Sequence, residues 1–444
     1  MNDNAVTHID TTSRSRVRFL VLAMLFTITA LNYGDRATLS ITGTALKADF
    51  GIGPVEMGYL FSAFAWAYTL SQLPSGWLLD RFGARRVYAG SILLWSIFTL
   101  LQSFAGIVGA VGSAVSLLFL LRFCMGAAEA PAFPANAKVV SAWFPASERG
   151  MASAVFNSSQ YFSAVVFTPM MAWVTHAFGW RYVYLTMGAA GIVIAIAWLK
   201  VMRDPAHHPA VNRAELDHIR QGDAGAKAAK QGPVLRAWPL AKQLLSSRML
   251  LGVYLAQFCI SVLTYFFLTW FPVYLVQARG MTILQAGFLA SVPAICGFVG
   301  GMLGGVFSDG LIQRGKPLSF ARKLPIVLGM LLSMSIIGCN YVSEDWLVMV
   351  LMSVAFFGKG LGALGWAVVA DTSPKEAVGL CGSIFNLFGN LAGIVTPIVI
   401  GYVVANTGSF AGALFFVGAN ALITVFSYLV IVGKIERVTL QVFR

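Results

Sequence analysis

Five charged residues, Asp35, Arg36, Arg122, Glu129 and Lys359, fall inside stretches that otherwise read as lipid-spanning helices. A charge at the centre of such a helix costs roughly 2.5–3.5 kcal/mol on insertion scales, so it survives where it faces a cavity, pairs or meets a ligand. Three cations and two acids together point to a path for an anion, lined by groups able to carry a proton. Arg122 and Glu129 are two helical turns apart and share one face, about 10 Å apart along the axis. That spacing suits either a proton-binding acid beside a guanidinium or a static ion pair in the helix packing. Asp35 and Arg36 are adjacent, about 100° apart around the helix, and cannot point the same way. Arg36 is expected to face the cavity as a two-pronged anion grip. Asp35 is then a second protonatable group directed at a neighbouring helix, or an internal partner for Arg122.

The elements that must hold these groups follow from composition. Of 444 residues 58% are hydrophobic and only 11% charged, against about 25% in an ordinary soluble domain. About 20 apolar residues cross the hydrocarbon. About twelve such stretches are predicted, over 18–45, 55–79, 86–108, 113–139, 150–175, 180–201, 249–277, 283–308, 323–342, 346–370, 377–404 and 410–433. A polar, basic segment over 203–248 splits them six and six. Roughly 25 of the 31 Lys and Arg fall on one side of these spans, which is the positive-inside pattern. The net charge of +13 therefore reports topology, not a nucleic-acid partner, and places both termini and the central loop in the cytoplasm. The polar N-terminus runs into a full first span, so no cleavable signal peptide is expected. Cys124, Cys259, Cys296, Cys339 and Cys381 stand singly in apolar segments, which predicts neither disulfides nor a metal site.

The two halves also repeat. Gly76 and Asp80 in GWLLDRFGARR recur as Gly305 and Asp309 in GVFSDGLIQR, 229 residues on. The same shift carries Pro145, Gly150, Phe156 and Asn157 onto Pro374, Gly379, Phe385 and Asn386. A common offset over distant positions indicates duplication, and such repeats build many transporter folds.

GWLLDRFGARR resembles the loop signature G-x-x-x-D-R-x-G-R-R of the major facilitator superfamily. LNYGDRATLS, FSAFAWAYTLSQLPSGW, RFCMGAAEAPAFPAN and SAWFPASERG are similar to its anion:cation symporter branch. FFGKGLGALGWAVVADTSPKE and IFNLFGN extend the likeness to bacterial aldarate proton symporters over about residues 17–440. The resemblance implies an all-α membrane protein of twelve transmembrane helices in two six-helix bundles, 1–202 and 249–444, joined by the loop 203–248. It implies a non-enzymatic importer of a sugar-acid anion, D-glucarate or galactarate foremost, with the proton as coupling ion and no cofactor. A multi-pass monomer of the bacterial inner membrane, touching lipid and a small-molecule substrate, is the corresponding expectation.

Site residues follow in the same way. Asp35, Glu129 and Arg122 are expected to couple protons, as the corresponding glutamate does in galactonate and glutamate relatives. Arg36 would bind one substrate carboxylate. Lys359 stands where relatives carrying one carboxylate have a neutral residue, so it could hold a second. Tyr33, Tyr68, Gln160 and Asn386 would meet sugar hydroxyls, the last two aligning with sugar-contacting positions of a galactonate relative, and Trp366 would form an apolar wall. A serine contact of that relative is Ala363 here. Packing remains the alternative for the tyrosines, and interhelical hydrogen bonding for the amides, Asn390 included. Gly76, Asp80, Arg81, Arg85 and Arg86 would form a cytoplasmic conformational gate that locks the outward-facing state. Asp371, Lys375 and Glu376 are expected to serve a helix boundary. Rival readings are another organic anion (galactonate, hexuronate, glycerate or an aromatic acid), an antiporter, and a channel or receptor.

Overall fold

The computed structural model describes residues 15–108, 111–145, 147–220, 237–374 and 377–439, which form helices and connecting turns with no strand. The first part of the chain runs through α1 (Val17–Phe50), α2 (Pro54–Phe82), α3 (Ala84–Gln102), α4 (Val111–Glu129), α5 (Ala132–Trp143), α6 (Arg149–Phe178) and α7 (Trp180–Val201). The connecting segment holds α8 (Arg213–Arg220) and α9 (Ala237–Ser246). There follow α10 (Arg248–Tyr265), α11 (Phe271–Gln277), α12 (Ile283–Gln313), α13 (Leu318–Ser333), α14 (Ser335–Gly338), α15 (Asp345–Leu361), α16 (Gly365–Thr372), α17 (Val378–Thr407) and α18 (Ala411–Phe426). Among the described residues nine helical stretches are long and apolar enough to cross a membrane. Helices α2, α3 and α6 are long enough but less apolar, because α3 opens on Arg85 and Arg86 and polar residues such as serine and glutamine are spaced along α2 and α6.

Tight turns reverse the chain where glycine allows a positive φ. Gly83 (φ 78°) joins α2 to α3 and Gly179 (φ 96°) joins α6 to α7, each as a one-residue link. In the first half α1 packs on α6 and α7, α2 on α4, and α3 on α4 and α7. In the second, α10 packs on α17 and α18, and α12 and α13 on α15. The halves meet along α2 with α17 and α6 with α12.

Several predicted spans are not continuous. The stretch 113–139 breaks after Glu129, where Pro131 cannot donate into a preceding turn. The stretch 346–370 breaks over Gly362–Leu364, inside a glycine-rich run. In 249–277 a π-helical turn, Phe266–Trp270, separates α10 from α11, which begins next to Pro272. The predicted connecting segment 203–248 is partly helical. It contains α8, α9 and a 3₁₀ turn at Pro205–His207, while residues 221–236 lie outside the described residues, as do Lys375 and Glu376.

Helix α8 is clasped to the start of α1. Glu215 is fully buried and accepts from Ser15 Oγ (2.5 Å), Val17 N (3.2 Å), Arg18 N (3.1 Å) and Arg18 Nη1 (3.2 Å). It thereby satisfies N–H groups that the first turn of α1 leaves open. Arg18 also pairs with Glu148 (3.2 Å), which accepts from His218 (2.8 Å). Burial alone would raise the Glu148 carboxyl, but His218 and Arg18 together outweigh it and hold it below the usual range.

Candidate functional site

The break after Glu129 puts a carboxylate at the C-terminal end of a helix, where the macrodipole disfavours it. A cation offsets this. Arg36 Nε lies 2.9 Å from Glu129 Oε2, with the arginine side chain 10% and the glutamate 0% exposed. The guanidinium also sits within a box of rings, 5.0 Å from the Tyr33 centroid, 4.7 Å from Phe64 and 4.9 Å from Tyr68. Aromatic faces attract a cation at these distances. Tyr33 and Tyr68 thus surround Arg36, and Tyr68 stacks on Phe64.

The pairing differs from the one that spacing along α4 suggests. Glu129 pairs across helices with Arg36, while Arg122 donates from Nη2 to the Arg36 backbone carbonyl (3.3 Å). Its Nε and Nη1 have no hydrogen-bond partner, and Arg122 forms no ion pair among the described residues. Asp35 points away from Arg36, as the 100° step requires. It is fully buried near Trp95, Arg122 and Glu129, and neither its oxygens nor the Trp95 indole N–H makes a well-formed hydrogen bond.

A cavity of about 110 Å³ lies between the halves. Tyr33 and Gln160 line it from one side, and Lys359, Thr264 and Phe356 from the other. Lys359 Nζ stands 5.1 Å from the Phe356 ring centroid and has no acidic partner among the described residues. It occupies the last turn of α15, where the helix dipole favours a cation. Gln160 donates to the Asn157 carbonyl of its own helix (3.1 Å). Arg36 lies behind the cavity wall, adjoining it through Tyr33.

Two other expected residues stand apart from this cavity. Asn386 Nδ2 donates to Gln72 Oε1 (3.3 Å), joining α17 to α2. Trp366 is 57% exposed and meets Phe385 edge-on. Asn390 is buried with Nδ2 unpartnered. Spacing and composition left out Tyr161 and Thr264, which line the cavity, and Gln72, which bridges the halves. Tyr161 follows Gln160 directly, and the second of a pair of polar neighbours at midspan was the available signal.

The expected gate residues make contacts within their own half. Asp80 pairs with Lys138 (2.8 Å), Arg81 lies over Trp77 and Phe82, and Arg85 donates to the Leu199 carbonyl (2.7 Å). Arg86 is exposed, and a Cβ on Gly76 would meet open space. The repeat-related Asp309 shares Arg322 with Asp371, at 3.0 and 2.8 Å.

The opposite ends of the helices are closed. Trp270 Nε1 donates to the Pro397 carbonyl (3.1 Å), Ser40 Oγ to the Thr269 carbonyl (2.8 Å), and the Tyr59 and Tyr402 hydroxyls are 3.3 Å apart. Helices α2 and α17 touch backbone to backbone there. A Cβ on Gly58 would stand 2.6 Å from the Pro397 carbonyl oxygen, and one on Gly401 2.5 Å from that of Pro54.

Comparison with known proteins fits this arrangement. The profile of the Major Facilitator Superfamily matches residues 25–322. The chain is 59% identical to the "Probable galactarate/D-glucarate transporter GudP" of Bacillus subtilis (strain 168), over 96% of this chain and 94% of that one. It is 53% identical to the "Probable galactarate/D-glucarate transporter GarP" of Escherichia coli (strain K12), over 96% of both. To the "D-galactonate transporter" of Escherichia coli O6:H1 it is 42% identical, over 95% and 97%. Among solved structures, a D-xylose-proton symporter superposes with a TM-score of 0.71 at 16% identity, covering 94% of this chain and 98% of that one. An inward-facing, occupied bacterial homologue of the lysosomal transporter Spinster gives 0.70 at 17%, covering 94% and 96%. A profile covering well over half the chain, relatives above half identity along nearly its whole length, and a shared helical architecture have one meaning: the chain belongs to the major facilitator superfamily of membrane transporters.

Proposed function

We propose that the protein imports a dicarboxylate sugar acid, D-glucarate or galactarate, by proton symport with alternating access. The observation that carries this reading is the charge arrangement around the cavity. Lys359, with no acidic partner among the described residues, faces it from one half, and Arg36, held there by a single carboxylate, adjoins it from the other. A substrate charged at both ends would satisfy both cations. The names of the relatives at 59% and 53% identity support the same substrate class.

Nine apolar stretches, with α2, α3 and α6 added, make twelve spans in two six-helix bundles, 1–202 and 249–444, joined by 203–248. Helices broken near mid-membrane, as after Glu129 and Lys359, are typical of transporter binding sites. Both termini lie in the cytoplasm of a bacterial inner membrane, following the basic residues. The closed helix ends around Tyr59 and Trp270 then face the periplasm, and the monomer is inward-facing. In that state Asp80, Arg81, Arg85 and Arg86 are separated from the second bundle, and they engage it when the cytoplasmic side closes.

Glu129 and Asp35 carry the coupling protons, with Arg122 setting the local potential. An ionised Glu129 occupies Arg36, and protonation releases that guanidinium to a substrate carboxylate. Tyr33, Tyr68 and Gln160 offer hydrogen bonds to hydroxyls. Asn386 and Trp366 join them when the bundles rock. The test is uptake into proteoliposomes across a panel of mono- and dicarboxylate sugar acids, with and without an imposed pH gradient. Galactarate or glucarate accumulation that collapses with a protonophore is expected. Uptake indifferent to the protonophore rejects symport, and a preference for monocarboxylates rejects the two-anchor site.

A further inference from the structure

Asn32 precedes Asp35 by three residues and Arg36 by four, so it lies between them around α1, about 60° from the first and about 40° from the second. It is 1% exposed, and neither its Oδ1 nor its Nδ2 makes a well-formed hydrogen bond. Buried amides are nearly always satisfied, so one with both ends unmade calls for a reason. The next polar layer along α1 does not supply it. There Asn136 donates to Thr29 Oγ1 (2.9 Å) and accepts from the Tyr88 hydroxyl (2.8 Å), and Asn32 is left out of this ladder.

The two acids do supply a reason. The Glu129 carboxylate lies against the Asn32 amide, with Oε1 unpartnered while Oε2 holds Arg36. Both oxygens of Asp35, one turn along, are unpartnered too. The charged groups facing this spot are Arg36 and Asp35 from α1 and Arg122 and Glu129 from α4. Phenols reach the same cluster from α1 (Tyr33), α2 (Tyr68), α3 (Tyr88) and α7 (Tyr184). All of these have one fixed hydrogen-bonding character at neutral pH except the two acids and the phenols. An amide offers both characters at once: Nδ2 donates to a carboxylate, and Oδ1 accepts from a protonated carboxyl.

We propose that Asn32 is a positioning residue of the proton site, bridging Glu129 and Asp35 and presenting its donor to the ionised acid and its acceptor to the protonated one. The inference rests on the symport reading above. Its consequence has a sign. A hydrogen bond to a charged carboxylate is stronger than one from a neutral carboxyl. Loss of the amide therefore favours the protonated acids, and proton-driven uptake should persist to higher pH.

The experiment measures initial galactarate uptake into proteoliposomes from external pH 5.5 to 8.5 at fixed internal pH, for the wild type, Asn32→Leu, Asn32→Ser and Asn32→Gln. The midpoint of the profile is expected to move upward by about one pH unit in Asn32→Leu, the equivalent of a tenfold change in proton affinity. Asn32→Ser should move it the same way by less, and Asn32→Gln, which keeps both amide functions, should return it toward the wild type. Midpoints that stay at the wild-type value in Leu and Ser overturn the proposal whatever the rates, because a residue serving only packing lowers the rate without moving the midpoint. A wild-type profile with no pH dependence overturns the symport reading instead.

Discussion

Lysine 359 offers the sharpest test of substrate class. Its ammonium lines the cavity wall with no carboxylate partner among the described residues, and a half-buried cation without a counter-ion is held at a cost. A substrate carboxylate would relieve that cost by a charge-assisted hydrogen bond, about 1.5–3 kcal/mol. In affinity this is about 10- to 150-fold. Lys359→Asn keeps a polar side chain but withdraws the charge and about two methylenes of reach. We expect KM for galactarate and glucarate to rise about 10- to 150-fold. Galactonate, whose one carboxylate would go to Arg36, should change by less than about threefold. Uptake of all three into proteoliposomes gives the ratio directly, and retained galactonate uptake shows that the variant folds. Equal loss for mono- and dicarboxylates refutes the argument, because it assigns Lys359 to the architecture instead of to the second carboxylate.

Four further outcomes follow from the geometry. Glu129→Gln should abolish galactarate accumulation driven by a pH gradient, since the side chain that competes for Arg36 can no longer change charge; gradient-driven accumulation at the wild-type level excludes Glu129 as a proton carrier. Gly58→Val should hold the α2–α17 ends apart, because its Cβ would meet a backbone carbonyl at 2.6 Å. A thiol introduced by Ser40→Cys should then react with an impermeant reagent from the periplasmic side, and unchanged labelling removes the seal from that interface. Glu215→Ala strips four hydrogen bonds and leaves Arg18 with Glu148 as its acidic partner, a loss of about 1–3 kcal/mol readable as a lowered melting temperature. Glu148, depressed in the folded state, contributes stability that is complete above the ordinary carboxylate value of about 4.3 and lost as pH falls through its lower folded value. Melting curves should therefore steepen in their decline below about pH 4, and Glu148→Gln should flatten that decline.

Much of this was legible in the sequence because a membrane imposes a coarse rule. Every span needs about 20 apolar residues, so helix positions follow from hydropathy, and observed ends such as Pro54–Phe82 fall within a few residues of those predicted. The breaks in the helices were not legible. Pro131 and the run around Gly362 are embedded in apolar sequence, so hydropathy passes over them. Nor was the partner of Glu129, because spacing along one helix sees only that helix. Arg36 reaches Glu129 from α1, across a distance in sequence that no periodicity encodes. The clasp of α8 onto α1 was hidden differently: a charged segment between spans looks solvated until Glu215 is found fully buried.

The shared guanidinium explains why proton and substrate should travel together in the proposed cycle. Arg36 is held by one carboxylate and three ring faces, and the rings can keep it in place whichever anion it binds. An incoming sugar-acid carboxylate must therefore displace an ionised Glu129 or find it already protonated. Displacement would leave a bare carboxylate at a helix C-terminus inside the membrane, which is the costlier state. Protonation removes that penalty before the substrate arrives. By linkage, bound substrate must then hold the proton as strongly as the proton favours the substrate. The coupling so obtained requires no signal across the protein, since both ligands act on a single side chain. Lys359 lies outside this competition, having no acidic partner among the described residues to lose, and so fits a role in substrate choice instead of energy coupling.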